Sequence, residues 1–163
     1  MEVQLKFNSD FVNPYQLMAN QQPSIQFHSQ EIVFSLPDEE QVVSWLKSVI
    51  DEEGQILTHL NFIFCSDDYL LKVNQEYLNH DYYTDVITFP LSEDEIEGDI
   101  FISVDRVREN AIKIGVSEKN ELFRVMVHGV LHLLGFGDKS EEEKVQMTNI
   151  ENHYLKSAPT LTN

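Results

Sequence analysis

A single cysteine, Cys65, leaves the chain unable to close an internal disulfide, which excludes a stapled extracellular scaffold and fits a reducing compartment. Basic residues are also scarce. Eleven Lys and Arg against twenty-eight Asp and Glu give a formal charge of -17, a field that repels nucleic acid and anionic membranes at long range. Any role on RNA has to overcome it. No apolar run approaches the roughly 20 residues that a membrane-spanning helix needs. The opening Met1-Glu2-Val3-Gln4-Leu5-Lys6-Phe7-Asn8 has no basic region followed by an apolar core. Neither secretion nor membrane insertion is therefore expected, and the cytoplasm is the expected location. Glycine and proline are sparse, six and five, and the chain has no internal repeat and no low-complexity segment.

What remains is globular: 42% hydrophobic and 10% aromatic residues over 163 positions are enough for one domain with a sizeable core. Residues 1–23 have little periodicity and end in Gln21-Gln22-Pro23, so they are read as an irregular arm or a short docking segment. The domain is expected over 24–158, with 159–163 as a short tail. Acidic runs at 38–40, 51–53, 93–97 and 141–143 read as solvated loop and helix-end charge.

The local patterns predict an α/β (α+β) fold, a small mixed or mostly antiparallel sheet packed by about five helices. Partial alternation over 25–34 predicts one or two short strands, and Leu60, Phe62 and Phe64 alternate through another. Asp38 with Gln41 resembles a capping box for a helix carrying Val42, Leu46, Val49 and Ile50 that Gly54 stops. Ser66 is expected to cap a helix with Leu70, Val73, Asn74 and Tyr77. Residues 84–91 and 99–103 read as an antiparallel pair joined by an acidic loop over 92–98. Helices follow from about Asp105 and from Ser117, and Ser140 with Glu143 forms a capping box for the last one, which carries Met147, Ile150 and Tyr154.

The informative segment is His128-Gly129-Val130-Leu131-His132-Leu133-Leu134-Gly135-Phe136-Gly137-Asp138. Residues i and i+4 share one helix face, so both imidazoles can reach one ion. Gly135 ends the helix and lets the chain return with Asp138. Three protein ligands leave the fourth position of a tetrahedral zinc open for water, the arrangement of a catalytic rather than a structural site. Between Leu122 and Leu134 only Arg124, His128 and His132 break an apolar run with a polar stripe. Two imidazoles left against a core cost about 1–3 kcal/mol each without partners, which a shared metal would supply. The alternative is a hydrogen-bonded pair of core histidines. His28, His59, His80 and His153 lack ligand spacing and read as surface or structural residues.

The spacing H-x-x-x-H-x-x-G-x-x-D is shared with zinc peptidases, which carry a glutamate directly after the first histidine as general base. Here Gly129 stands in that place.

The motif from His128 to Gly135, with Met147 beyond it, resembles the YbeY family of bacterial rRNA maturation factors, metal-dependent endoribonucleases of zincin-like fold. Two upstream blocks agree: Val73-Asn74-Gln75-Glu76-Tyr77 leading into Asp81-Tyr82-Tyr83-Thr84-Asp85-Val86-Ile87-Thr88-Phe89-Pro90, and Gly98-Asp99-Ile100-Phe101-Ile102-Ser103. The resemblance covers about residues 25–156 and implies that His128, His132 and a third ligand hold one zinc ion per chain. Asp138 stands where most members have histidine; a carboxylate also ligates zinc, hardens the site slightly and widens the choice of divalent metals. Leu78 stands where an arginine is usual after the aromatic. Arg124, one turn before His128, could replace it, or could instead form a salt bridge behind the site; Lys139, Arg106 and Arg108 are weaker candidates. Thr84, Asp85 and Asp99 occupy positions held near the family's cleft. Asp85 could orient a histidine or a water, or Thr84-Asp85 could be a turn fixed by side chain to backbone bonds.

The implied chemistry is attack of a metal-activated water on a phosphodiester of single-stranded RNA, with His128, Asp138 and Arg124 as the catalytic set. The implied setting is small-subunit rRNA 3′-end maturation and ribosome quality control, with the small subunit and ribosomal or GTPase proteins as partners and no membrane. No base-stacking module is visible in the sequence. Three alternatives remain: a metal-binding ribosome assembly factor with little or no catalysis, a metalloprotease-like hydrolase acting on a small or peptide substrate, and a metal-free structural protein.

Overall fold

The computed structural model describes residues 22–160. Of the arm expected over 1–23 only 22–23 lie among them, and of the tail expected over 159–163 only 159–160. Four strands, β1 (Ser24–Gln30), β2 (Leu57–Cys65), β3 (Val86–Pro90) and β4 (Ile96–Ser103), form one sheet in the order β1-β2-β4-β3. Among the described residues five helices accompany it: α1 (Glu39–Glu52), α2 (Asp67–Leu78), α3 (Val104–Ile114), α4 (Glu118–Leu133) and α5 (Glu141–Leu155).

The sheet is mixed, the first of the two expected forms. β1 runs parallel to β2 and β2 parallel to β4, while β3 alone is antiparallel, pairing Ile87 with Phe101 and Thr88 with Ile100. That β3–β4 hairpin matches the expected antiparallel pair, although β4 begins at Ile96, inside the segment expected to be loop. The parallel pairs come from remote segments whose helical crossovers leave no local trace of strand direction.

Alternation divides the sheet into two faces. Leu60, Phe62, Phe64, Ile100 and Ile102 point into the main core, where they meet α1, α4 and α5. Cys65, Ile87, Phe89 and Phe101 point to the other face, covered by Tyr69, Leu70 and Val73 of α2. α4 is the central helix, and Leu122, Phe123, Val125, Met126, Val127, Gly129, Val130 and Leu131 on it are all buried.

α4 packs tightly on the sheet at Gly129, where an added Cβ would lie 2.9 Å from Ile100 Cγ2 and 3.5 Å from Thr88 Cγ2. Any larger side chain would force Ile100 or the helix itself to shift. A glutamate there, the zinc-peptidase arrangement, has no room.

Most caps follow the sequence. Ser66, Ser103, Ser117 and Ser140 each accept a hydrogen bond from the backbone N–H three residues on, and Ser140 with Glu143 forms the full reciprocal box. The expected box at Asp38 does not form. Asp38 sits at φ 52° in the left-handed region and its carboxylate makes no cap bond, because a capping side chain needs an extended backbone at that position.

Candidate metal centre

His128 and His132 stand on the last two turns of α4, and a Schellman turn then brings the chain back towards them. Gly135 adopts φ +100°, its N–H donates to His132 O at 3.0 Å, and the Phe136 N–H donates to Leu131 O at 3.0 Å. Only a residue free of Cβ strain reverses the helix so tightly. Asp138 follows three residues later.

The three groups converge. His132 Nε2 lies 3.0 Å from His128 Nε2 and 3.2 Å from Asp138 Oδ2, and His128 Nε2 lies 3.4 Å from the same carboxylate oxygen. Among the described residues, theirs is the one group of three or more His, Cys, Asp or Glu whose ligand atoms all lie within 4.8 Å of one another.

The outward bonds of the imidazoles assign their tautomers. His132 Nδ1 faces the Phe136 carbonyl at 3.0 Å, which can only accept, so Nδ1 carries the proton. His128 Nδ1 faces Glu151 Oε2 at 2.8 Å, so it too is the donor. In their neutral forms both rings therefore direct Nε2 lone pairs at each other and at a carboxylate. That donor set, two nitrogens and one oxygen, is mutually repulsive unless a cation or a proton sits at its centre, and it fits a divalent metal.

Glu151 is the residue that the sequence reading missed. Its side chain is 8% exposed, and it also accepts from Arg124 Nη1 at 3.1 Å. One signal was available: Glu151 lies four residues after Met147 and three before Tyr154, on the buried face of α5. Burial pulls the His128 pKa down, but the hydrogen bond and charge of Glu151, helped by Asp85 and Asp138, outweigh it, and the net shift is upward.

Arg124 is on the expected stripe and is held from behind the site, by Glu151 and by Asn152 Oδ1 at 2.7 Å. Two adjoining cavities of about 380 and 320 Å³ flank the histidines and share Asp85, His128 and Asp138 in their walls. Arg124 lines the first and Thr84 the second. Burial holds the Asp85 carboxyl above the ordinary carboxylate range, against the lowering effect of His128 and of two backbone hydrogen bonds. Thr84 Oγ1 is 3.5 Å from Val86 O, a weak local contact at most. Asp99 is not brought to the cluster: it shares the β4 face of Phe101, and its Oδ1 accepts from Asn61 Nδ2 at 2.9 Å. Lys139 is exposed and contributes its backbone N–H to Glu143 at 2.8 Å. Arg106 is committed to Asp67 and Glu109, and Arg108 to Glu118. His80, expected to be surface or structural, lines the second cavity.

Glu121, one turn before Arg124, is a second buried acid outside the sequence reading. It is 4% exposed and its Oε2 has no hydrogen-bond partner among the described residues. Burial, reinforced by the charges of Asp85 and Glu151 and opposed by Arg124 and His128, raises its pKa. A carboxyl whose folded pKa is raised adds stability below its ordinary value and loses that contribution as pH rises through the folded pKa. Ionised Glu121 is thus a cost at neutral pH. Glu121→Gln is expected to raise the Tm of the metal-free protein at pH 7.5 by about 2–4 °C, on the order of 1 kcal/mol. The gain should vanish below the ordinary glutamate value of 4.5. Thermal unfolding across pH checks it, and a gain that grew on acidification would contradict it.

Residues 24–159 match the family model described as Endoribonuclease YbeY. The chain is 50% identical over 127 residues to Endoribonuclease YbeY of Flavobacterium psychrophilum, covering 77% of this chain and 91% of that one. It is 45% identical over 134 residues to the protein of that name in Amoebophilus asiaticus, covering 81% and 91%. A Thermotoga maritima protein of known solution structure superposes with a TM-score of 0.60 at 26% identity, covering 83% of this chain and 89% of that one.

Proposed function

Because this chain belongs to the Endoribonuclease YbeY family, we propose that it is a metal-dependent endoribonuclease that hydrolyses phosphodiester bonds in single-stranded RNA. Its substrate would be ribosomal RNA, at the 3′ end of the small-subunit species, with a part in ribosome quality control. The observation that carries this reading is the convergence of two histidine lone pairs and a carboxylate at the wall of an open cleft.

Zinc is the metal we infer, held by His128, His132 and Asp138, since three protein ligands of this kind suit a catalytic zinc. Bound there, a divalent ion would act as Lewis acid towards a phosphoryl oxygen and lower the pKa of a water molecule. The protein's own residues do the rest. Glu151 and the Phe136 carbonyl hold both rings in the tautomer that presents Nε2. Asp85, whose carboxyl is raised by burial, is suited to receive a proton beside them. Arg124 keeps Glu151 in place and supplies positive charge at the rim of the first cavity.

The proposed setting is the cytosol, on the small ribosomal subunit, with ribosomal or GTPase proteins as partners; none of the described helices is long and apolar enough to cross a membrane. We take residues 24–158 as the catalytic domain. The test is cleavage of an rRNA fragment carrying the small-subunit 3′ end, before and after exhaustive chelation and again after adding back zinc. Cleavage lost on chelation and recovered with zinc supports the reading. A zinc-loaded protein that binds small subunits and cuts nothing would make it an assembly factor instead.

A further inference from the structure

The second cavity has one wall that the metal chemistry does not use. It is formed by the turn between α2 and β3, where His80 and Tyr82 line the cavity together with His128 and Asp138. Their rings stack with centroids 5.1 Å apart and planes inclined by 22°, and the Tyr82 hydroxyl is 3.0 Å from His80 Nδ1. Tyr82 nevertheless remains 55% exposed, an aromatic ring left facing water.

The turn is held rigid from below. Asn79 takes a left-handed backbone at φ 54°, and the His80 N–H donates to Asn74 O at 3.1 Å. The Asn74 side chain, 1% exposed, donates to Tyr82 O at 2.9 Å, and Gln75 Nε2 donates to Asp81 Oδ1 at 2.6 Å. A surface ordered before its ligand arrives loses little entropy on binding.

Basic side chains are missing from this cavity: its lining includes Asp85 and Asp138 but no lysine or arginine, and the chain carries -17 overall. Apart from the metal cluster itself, this wall therefore offers no cation to grip the phosphates of a polyanion. An unpaired base has a π-face whatever its identity, and stacking on an aromatic side chain contributes about 1–3 kcal/mol per base. We propose that the Tyr82 ring, backed by His80, is a nucleobase platform that seats one unstacked base of single-stranded RNA beside the His128, His132 and Asp138 cluster. The inference rests on the endoribonuclease reading and adds how the strand is held. A duplex, whose bases are already stacked, gains nothing from it, so the platform also selects for single strands.

The experiment is fluorescence anisotropy with a labelled, cleavage-resistant 2′-O-methyl RNA, single-stranded or annealed, on the zinc-loaded full chain. The unmutated protein is compared with Tyr82→Phe, Tyr82→Leu and Tyr82→Ala, and KM and kcat are measured on unmodified RNA. Tyr82→Phe should bind within about 3-fold of the parent, whereas Leu and Ala should weaken single-strand binding by about 10-fold or more and act on KM rather than kcat. Affinity should also fall less steeply with salt than for a protein held by phosphate contacts. If the parent cleaves RNA but Tyr82→Ala and Tyr82→Leu leave Kd and KM unchanged, the platform is wrong and the endoribonuclease reading stands. If Phe loses as much as Ala, the hydroxyl and not the ring matters, which also overturns it. A parent that neither binds nor cuts single-stranded RNA removes both.

Discussion

His132→Ala is expected to abolish stoichiometric zinc binding and to lower RNA cleavage by at least about 10³-fold, the equivalent of the several kcal/mol a metal contributes to stabilising charge in such a transition state. The substitution leaves His128 and Asp138 as the remaining ligands of the cluster. Alanine suits the helix position, and the ring it replaces is half-buried rather than part of the core. The fold should therefore survive, and unfolding temperature with circular dichroism is the control. Measured together, zinc content and cleavage rate give a clear decision. A variant that lost zinc and cut RNA as fast as the parent would show that the observed nuclease was a contaminant or that the chemistry lies elsewhere. Asp138→His should behave in the opposite way, retaining zinc, since imidazole is as good a ligand as carboxylate in that place.

The second large effect is expected at a residue that touches no metal. Glu151→Gln removes the charge that faces His128 Nδ1 at 2.8 Å and Arg124 Nη1 at 3.1 Å while nearly preserving side-chain volume. A carboxylate behind a ligating histidine fixes its tautomer and raises its basicity, and loss of such a partner typically costs about 10–100-fold in metal affinity. We expect the zinc dissociation constant to rise by that factor and cleavage to recover at saturating zinc. Competition with a chromophoric chelator measures the first and a zinc titration of the rate measures the second. An unchanged dissociation constant would mean that Glu151 serves packing alone. A rate that stayed low at saturating zinc would instead assign Glu151 a direct part in the reaction.

These two residues differ in how legible they were. His132 announces itself through its distance from His128, because the helical repeat alone brings residues four apart to one face. Glu151 lies 23 residues from His128 along the chain. Its place on the buried stripe of α5 distinguishes it from its acidic neighbours, but its partner depends on how α5 crosses α4. Glu121 falls just outside the apolar run of 122–134 and its polar stripe, on the same face seven residues before His128. The expectation for Asp99 was carried by resemblance between short blocks, and a strand turns alternate residues to opposite faces, so nearness in sequence to Ile100 places it on the far side of the sheet. His80 and Tyr82 show the converse, since nothing in their spacing marks a stacked pair, and the pair depends on how Asn74 and Gln75 pin the turn.

The sequence by itself determined the local devices: the serine caps, the helix bearing both histidines, the glycine reversal that returns Asp138, and the β3–β4 hairpin. Each is set by a few neighbouring residues through hydrogen-bond geometry and side-chain period, which act within one turn or one strand pair. Tertiary structure alone decided the parallel pairing of β1, β2 and β4, the support of His128 by Glu151, and the cleft that aromatic rings line together with the ligand cluster. Those depend on which distant surfaces bury one another. Burial is nearly non-directional, so the sum of packing across the whole core, and no local pattern, selects the arrangement.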